Sequence, residues 1–160
     1  MKRLNLARRQ LKQKLNQRKR TFAAWTSLGH PSISEIFSRM GVDFVGIDIE
    51  HSTISLEQSH QIIAACQSNG TLCLPRVATH NPEMIKRLLD SGADGLIIPT
   101  VSTPQEVEKL ISWCKYPPAG NRGYGIARGQ GYGFDFEEYT SKWNDASSLI
   151  VQIELSLIHI

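Results

Sequence analysis

The stretch Phe44–Ser52, FVGIDIEHS, begins as an apolar run and finishes in charge. Phe44, Val45, Gly46, Ile47 and Ile49 predict a strand buried on both faces, the pattern of a parallel sheet covered by helices. Asp48, Glu50 and His51 arrive where that strand stops. In parallel α/β architectures ligands and chemistry gather at the carboxyl ends of strands, so an acid, an acid and an imidazole within four residues mark a candidate site. Capping of the next helix or local ion pairing is the simpler reading of the same residues.

On either side the same unit repeats. Phe22–Leu28 is a strand ahead of it, broken by Gly29-His30-Pro31; Ser32 or Ser34 can cap a helix to about Met40, closed by Gly41. Behind it Ser55, with Glu57 and Gln58, opens a helix that stops at Asn69-Gly70. Thr71–Val77 is a strand, Pro82 begins a helix to Ser91 before Gly92, Gly95–Val101 is a strand, and Thr103-Pro104 opens a helix through Cys114. Phe134–Trp143 reads as a short helix before a fifth strand, Leu149–Glu154. Such units predict a parallel sheet with helices outside it. A doubly wound sheet suits this length, whereas a (β/α)₈ barrel needs about 250 residues. No Gly-x-Gly-x-x-Gly turn follows the first strand, which argues against a nucleotide-binding version.

Composition excludes several classes. The 160 residues are 41% hydrophobic and 21% charged, a globular balance rather than a disordered one. No apolar run approaches a bilayer span and no signal-peptide core stands near the start, so the expected compartment is the cytoplasm, with no membrane partner. Cys66, Cys73 and Cys114 show neither a disulfide framework nor a zinc spacing and are expected in the core. Residues 1–20 hold nine Lys or Arg and no acid, leaving nine bases against fifteen acids in the rest. Leu4, Ala7, Leu11 and Leu15 share one helical face, so this segment reads as a basic, largely solvated helix packed by a narrow stripe. It lacks the interleaved aromatics of a nucleic-acid surface.

Each strand tip carries a polar group. Arg76 ends the third strand, and Gln152 and Glu154 end the fifth. If the sheet curls, these meet Asp48, Glu50 and His51 on one rim: a base, a guanidinium to hold an oxygen that becomes an enolate, and a carboxylate to hold a divalent cation. The glycine-rich run Gly120–Gly133, GNRGYGIARGQGYG, lacks the Gly-Lys-Ser/Thr of a phosphate loop; it reads as a mobile active-site loop in which Arg122 or Arg128 meets an acidic substrate, or as a plain surface loop.

Seven ordered segments carry a resemblance. Trp25–Leu28 with Gly29-His30-Pro31, Asp48–His51, Leu74–Val77, Leu88–Ala93, Ile97–Pro99, Tyr116–Gly123 and Val151–Glu154 resemble, in this order, the metal-dependent pyruvate aldolases of the 4-hydroxy-2-oxoheptanedioate and 2-keto-3-deoxy-sugar-acid type. The likeness implies a (β/α)₈ TIM barrel of the phosphoenolpyruvate/pyruvate type and cleavage of a 4-hydroxy-2-oxo acid into pyruvate and an aldehyde. By the same likeness the general base falls on His51, the oxyanion-stabilising arginine on Arg76, and the acid that strengthens the histidine as a base on Asp90. Substrate binding falls on Gln152 with Trp25, and one ligand of a divalent metal (Mg, Mn or Co) on Glu154. Asp48 and Glu50 are expected in the supporting shell. Partners are then small molecules and, for a full-length parent, further copies of itself, with no nucleic acid.

The departures from the family pattern are two. Ala23 stands where the family carries glycine, and after Glu154 the sequence Leu155–Ile160, LSLIHI, departs altogether, reading as a non-native tail on a C-terminally truncated chain. The expected organisation is therefore a basic helix over 1–20, a partial barrel of about five strands over 21–154 and a tail over 155–160. A barrel so reduced leaves two strand edges unpaired and is expected to be inactive. A non-catalytic half-barrel module, an acyl-CoA lyase of the same barrel type and a flavodoxin-like binding domain are the rival readings.

Overall fold

The computed structural model describes residues 2–153, so Glu154 and the tail 155–160 lie outside the described residues. Five strands form one all-parallel sheet: β1 (Ala23–Thr26), β2 (Phe44–Asp48), β3 (Leu72–Arg76), β4 (Gly95–Val101) and β5 (Ser148–Ile153). Their order is β1-β2-β3-β4-β5, each strand beside its predecessor in the chain. A doubly wound sheet reverses direction at a switch point, whereas a barrel is wound one way throughout. The chain is thus a partial barrel, against the doubly wound sheet that length alone favours.

Helices α1 (Lys2–Asn16), α2 (Pro31–Ser38), α3 (Leu56–Ser68), α4 (Pro82–Asp90), α5 (Pro104–Cys114) and α6 (Phe136–Ala146) complete the fold. The capping residues set their starts. Ser55 and Gln58 close a reciprocal capping box on α3, and Asn81 and Thr103 cap α4 and α5, each just before a proline. At α2 the cap is His30, whose Nδ1 accepts the Ser32 N–H at 3.3 Å, rather than either serine. Among the described residues no helix is long and apolar enough to cross a membrane.

The period of two along each strand splits the core in two. Val45, Ile47, Cys73, Leu96 and Ile98 face the helices and pack with Ile62, Ile85, Leu88, Leu110 and Trp143. Phe44, Leu72, Leu74 and Ile97 face the other way, toward what would be the barrel interior, and Leu11 of α1 packs on them with Leu4, Ala7 and Leu15 alongside. The expected stripe therefore exists, and it closes the amino-terminal end of the inner face. Burying a leucine such as Leu11 contributes about 1.5–3 kcal/mol.

One expectation for α1 fails. Arg8, read as solvated, is 2% exposed, with Nε and Nη2 both 2.7 Å from Asp94 Oδ1 and its guanidinium over the rings of Tyr139 and Trp143. Asp94 Oδ2 accepts from Gln67 Nε2 and the Cys73 N–H. The three cysteines are buried and unbridged, as expected; burial pushes the Cys73 thiol up and the Cys114 thiol up to about 12, so both are inert core residues.

Candidate active site

The carboxyl ends of β1, β2, β3 and β5 bring a cluster together. Asp48 and Arg76 are register partners on β2 and β3. Arg76 donates from Nε to Asp48 Oδ1 at 3.1 Å and from Nη2 to Asp48 Oδ2 at 2.6 Å, a two-pronged pair that fixes the plane of the guanidinium. Nη1 donates to Gln152 Oε1 of β5 at 3.4 Å, and the Trp25 ring of β1 lies 5.1 Å from the guanidinium carbon. Gly46 makes room for that ring. A Cβ there would fall 2.3 Å from Trp25 Cε3.

Asp48 also shapes the turn that follows β2. Its Oδ1 accepts the N–H groups of Glu50 and His51 at 3.1 and 3.0 Å, and its carbonyl accepts the Ser52 hydroxyl. Burial alone would push the Asp48 carboxyl up, but the Arg76 guanidinium and the His51 N–H outweigh it and hold the group below its ordinary value. Asp48 is therefore an anion that positions Arg76 and starts the turn carrying His51. Glu50 places Oε2 3.2 Å from Arg76 Nε and 3.7 Å from His51 Nε2. The His51 side chain is 71% exposed, the most open group of the cluster.

Six of the expected residues thus meet at one strand end: Trp25, Asp48, Glu50, His51, Arg76 and Gln152. Glu154 lies outside the described residues. Asp90 does not join them within this chain. It ends α4, at the amino-terminal side of the sheet, and accepts from Arg122 Nη2 at 3.0 Å. Arg122 itself is buried among Tyr116, Tyr139 and Trp143, and Arg128 lies beside Gln67 and Ser91, so neither loop arginine reaches the cluster. Gly46 and Ser52 are the contributors the sequence reading missed. The lone glycine inside the FVGID run was the available signal for the first.

The family described as HpcH/HpaI aldolase/citrate lyase matches residues 21–157. The chain belongs to the HpcH/HpaI aldolase/citrate lyase family. It is 31% identical over 144 residues to the hydroxypyruvate/pyruvate aldolase of Roseobacter denitrificans, covering 89% of this chain and 56% of that protein. It is 31% identical over 141 residues to the 2-dehydro-3,6-dideoxy-6-sulfogluconate aldolase of Pseudomonas putida, covering 88% and 55%. Among solved structures, an HpcH/HpaI aldolase/citrate lyase family protein from Burkholderia cenocepacia superposes with a TM-score of 0.86 at 28% identity, over 92% of this chain and 60% of that one. The chain spans about half the length of the curated relatives it matches. Family membership and the one-way strand order agree, and the cluster lies at the strand ends, where a barrel of this kind places its chemistry.

Proposed function

We propose that this chain carries the enolate-stabilising part of a pyruvate aldolase site, in a protein that cleaves 4-hydroxy-2-oxo acids to pyruvate and an aldehyde. The observation that supports it most is the Arg76 guanidinium, held by both Asp48 oxygens and backed by Trp25 at the carboxyl end of the sheet. A donor fixed beforehand stabilises charge as it develops without having to reorganise, and losing one such donor costs about 10²–10³ in rate.

In the cleavage direction a base takes the proton of the C4 hydroxyl. The C3–C4 bond then breaks, its electron pair passing to the C2 oxygen as the aldehyde forms, and protonation at C3 gives pyruvate. We assign the base to His51, whose exposure leaves its ring open to a substrate, and the stabilisation of the C2 oxygen to Arg76. Gln152 and Trp25 are assigned to holding the 2-oxo acid beside that guanidinium. Glu50 steadies Arg76 and His51.

A divalent cation suits the donors in part. Among the described residues no group of three or more His, Cys, Asp or Glu side chains stands ready for a metal. The Glu50 carboxylate, whose Oε2 lies buried within ion-pair reach of Arg76 and His51, is of the hard-oxygen type that Mg²⁺, Mn²⁺ or Co²⁺ prefers. Glu154 and Glu50 are the carboxylates assigned to the cation, which when bound would supply Lewis-acid stabilisation of the enolate oxygen. The cytoplasm as compartment and self-association as assembly complete the reading. A coenzyme A site is less well supported, because the basic helix α1 packs at the opposite end of the strands.

Pyruvate release from a 4-hydroxy-2-oxo acid, followed with Mg²⁺, Mn²⁺ or Co²⁺ and with chelator, tests the proposal. Cleavage that needs the cation and falls about 10²–10⁴-fold in His51→Gln supports it. Cleavage indifferent to His51 contradicts it.

A further inference from the structure

The glycine-rich segment holds one arginine, Arg128, that among the described residues hydrogen-bonds only to neutral groups. Arg128 opens a 3₁₀ stretch, Arg128–Gly133, and Nη1 donates to Gln67 Oε1 at 2.7 Å and to the Ser91 carbonyl at 3.3 Å. Both partners are neutral. Among the described residues no carboxylate lies within 4.0 Å of its guanidinium. Asp94 acts on it from farther away, but Asp94 is already committed to Arg8, Gln67 and the Cys73 N–H.

Arg128, Arg8, Gln67, Gly92, Gly129 and Tyr132 line a cleft of about 340 Å³ beside the amino-terminal ends of β3 and β4. Among the described residues no acidic side chain lines it. The Arg128 guanidinium, which among the described residues hydrogen-bonds only to neutral groups, gives the cleft a positive field. Burial and, to a lesser degree, Arg8 make the Arg128 charge costly, and His60, on the same face of α3 as Ala64 and Gln67, is held below its ordinary value by burial and by Arg128.

The backbone is built around this arrangement. Gly92 has φ +99°, and a Cβ there would fall 2.5 Å from Arg128 Nη1, so only glycine leaves the guanidinium where it is. Gly131 and Tyr132 both take left-handed conformations at the rim, φ +62° and +56°. A non-glycine residue held there costs energy and clusters at ligand-contacting turns.

We propose that this cleft binds a phosphate-type oxyanion, free or as the phosphoryl group of a small metabolite, at the end of the sheet opposite Arg76. Arg128 would supply the charge and the planar fork that such an anion takes. The site is independent of the aldolase reading.

Isothermal titration calorimetry of the full chain with inorganic phosphate, at constant ionic strength balanced by chloride, tests it. One saturable site is expected, weakened at least tenfold in Arg128→Gln and unchanged in Arg39→Gln, an exposed arginine elsewhere. Should Arg128→Gln fail to fold, Arg128→Lys, which keeps the charge and loses the fork, is expected to weaken binding several-fold. Tighter binding of glycerol phosphate than of inorganic phosphate assigns the cleft to a phosphoryl group, and the reverse order assigns it to the free ion; both support the proposal. No saturable binding, or affinity unchanged in both Arg128 variants, overturns it.

Discussion

Two arginine–aspartate pairs stand at opposite ends of one sheet, and they do different work. Arg8 and Asp94, with side chains 2% and 0% exposed, are sealed under Tyr139 and Trp143 and fasten α1 across the amino-terminal end. Arg76 and Asp48, 14% and 7% exposed, stand at the carboxyl end beside an open histidine and the Glu50 carboxylate, which is ion-paired to Arg76. The same chemistry is structural where protein surrounds it and available where a ligand can approach. What separates the two is access, since each arginine has an aspartate and an aromatic neighbour.

The largest effect should come from breaking the sealed pair. Asp94→Ala takes the carboxylate from buried Arg8 and also strips Cys73 and Gln67 of an acceptor, so urea denaturation should show a loss of about 3–5 kcal/mol. Asp48→Ala should cost less, because water can reach Arg76. Equal losses would erase the distinction. Gly46→Ala drives a methyl into the Trp25 ring, and overpacking of this kind costs about 1–3 kcal/mol. It should also displace the indole from Arg76, visible as a shift in tryptophan fluorescence that is absent in a Trp25→Phe background.

A smaller effect follows from acid. The Asp48 carboxyl is held below its ordinary value in the fold, so the unfolded chain binds its proton first as pH falls. Its stabilisation is complete above the unfolded value of about 3.9 and is lost as pH drops through the lower folded value. Asp48→Asn should therefore show a shallower loss of stability below about pH 4 than wild type, measured as urea midpoints against pH. The smallest expected change is Ser55→Ala, which removes one side of the capping box at the head of α3 and costs about 1 kcal/mol without touching either pair.

Much of this was legible in the sequence where local chemistry sets the structure. Gly95–Val101 and Pro104–Cys114 emerge with the bounds their flanking glycine, threonine and proline suggest. The convergence of Asp48, Arg76 and Gln152 was readable because a period of two puts strand-end residues on one face. Arg8 was not readable, since a base on a helix looks solvated until its acid, 86 positions away, folds beneath it. Asp90 likewise belongs to a partner chosen by the loop, Arg122, and the destination of Arg128 depends on a left-handed turn whose path no periodicity encodes.

The central claim, that the open pair stabilises an enolate, is tested most directly by exchange of the pyruvate methyl protons for deuterium, followed by proton NMR with added divalent cation. Faster exchange with the whole protein that carries this site, lowered about 10²–10³-fold in its Arg76→Lys variant while the urea midpoint stays well above that of Asp94→Ala, is the predicted result. Exchange equally fast in Arg76→Lys would contradict the account.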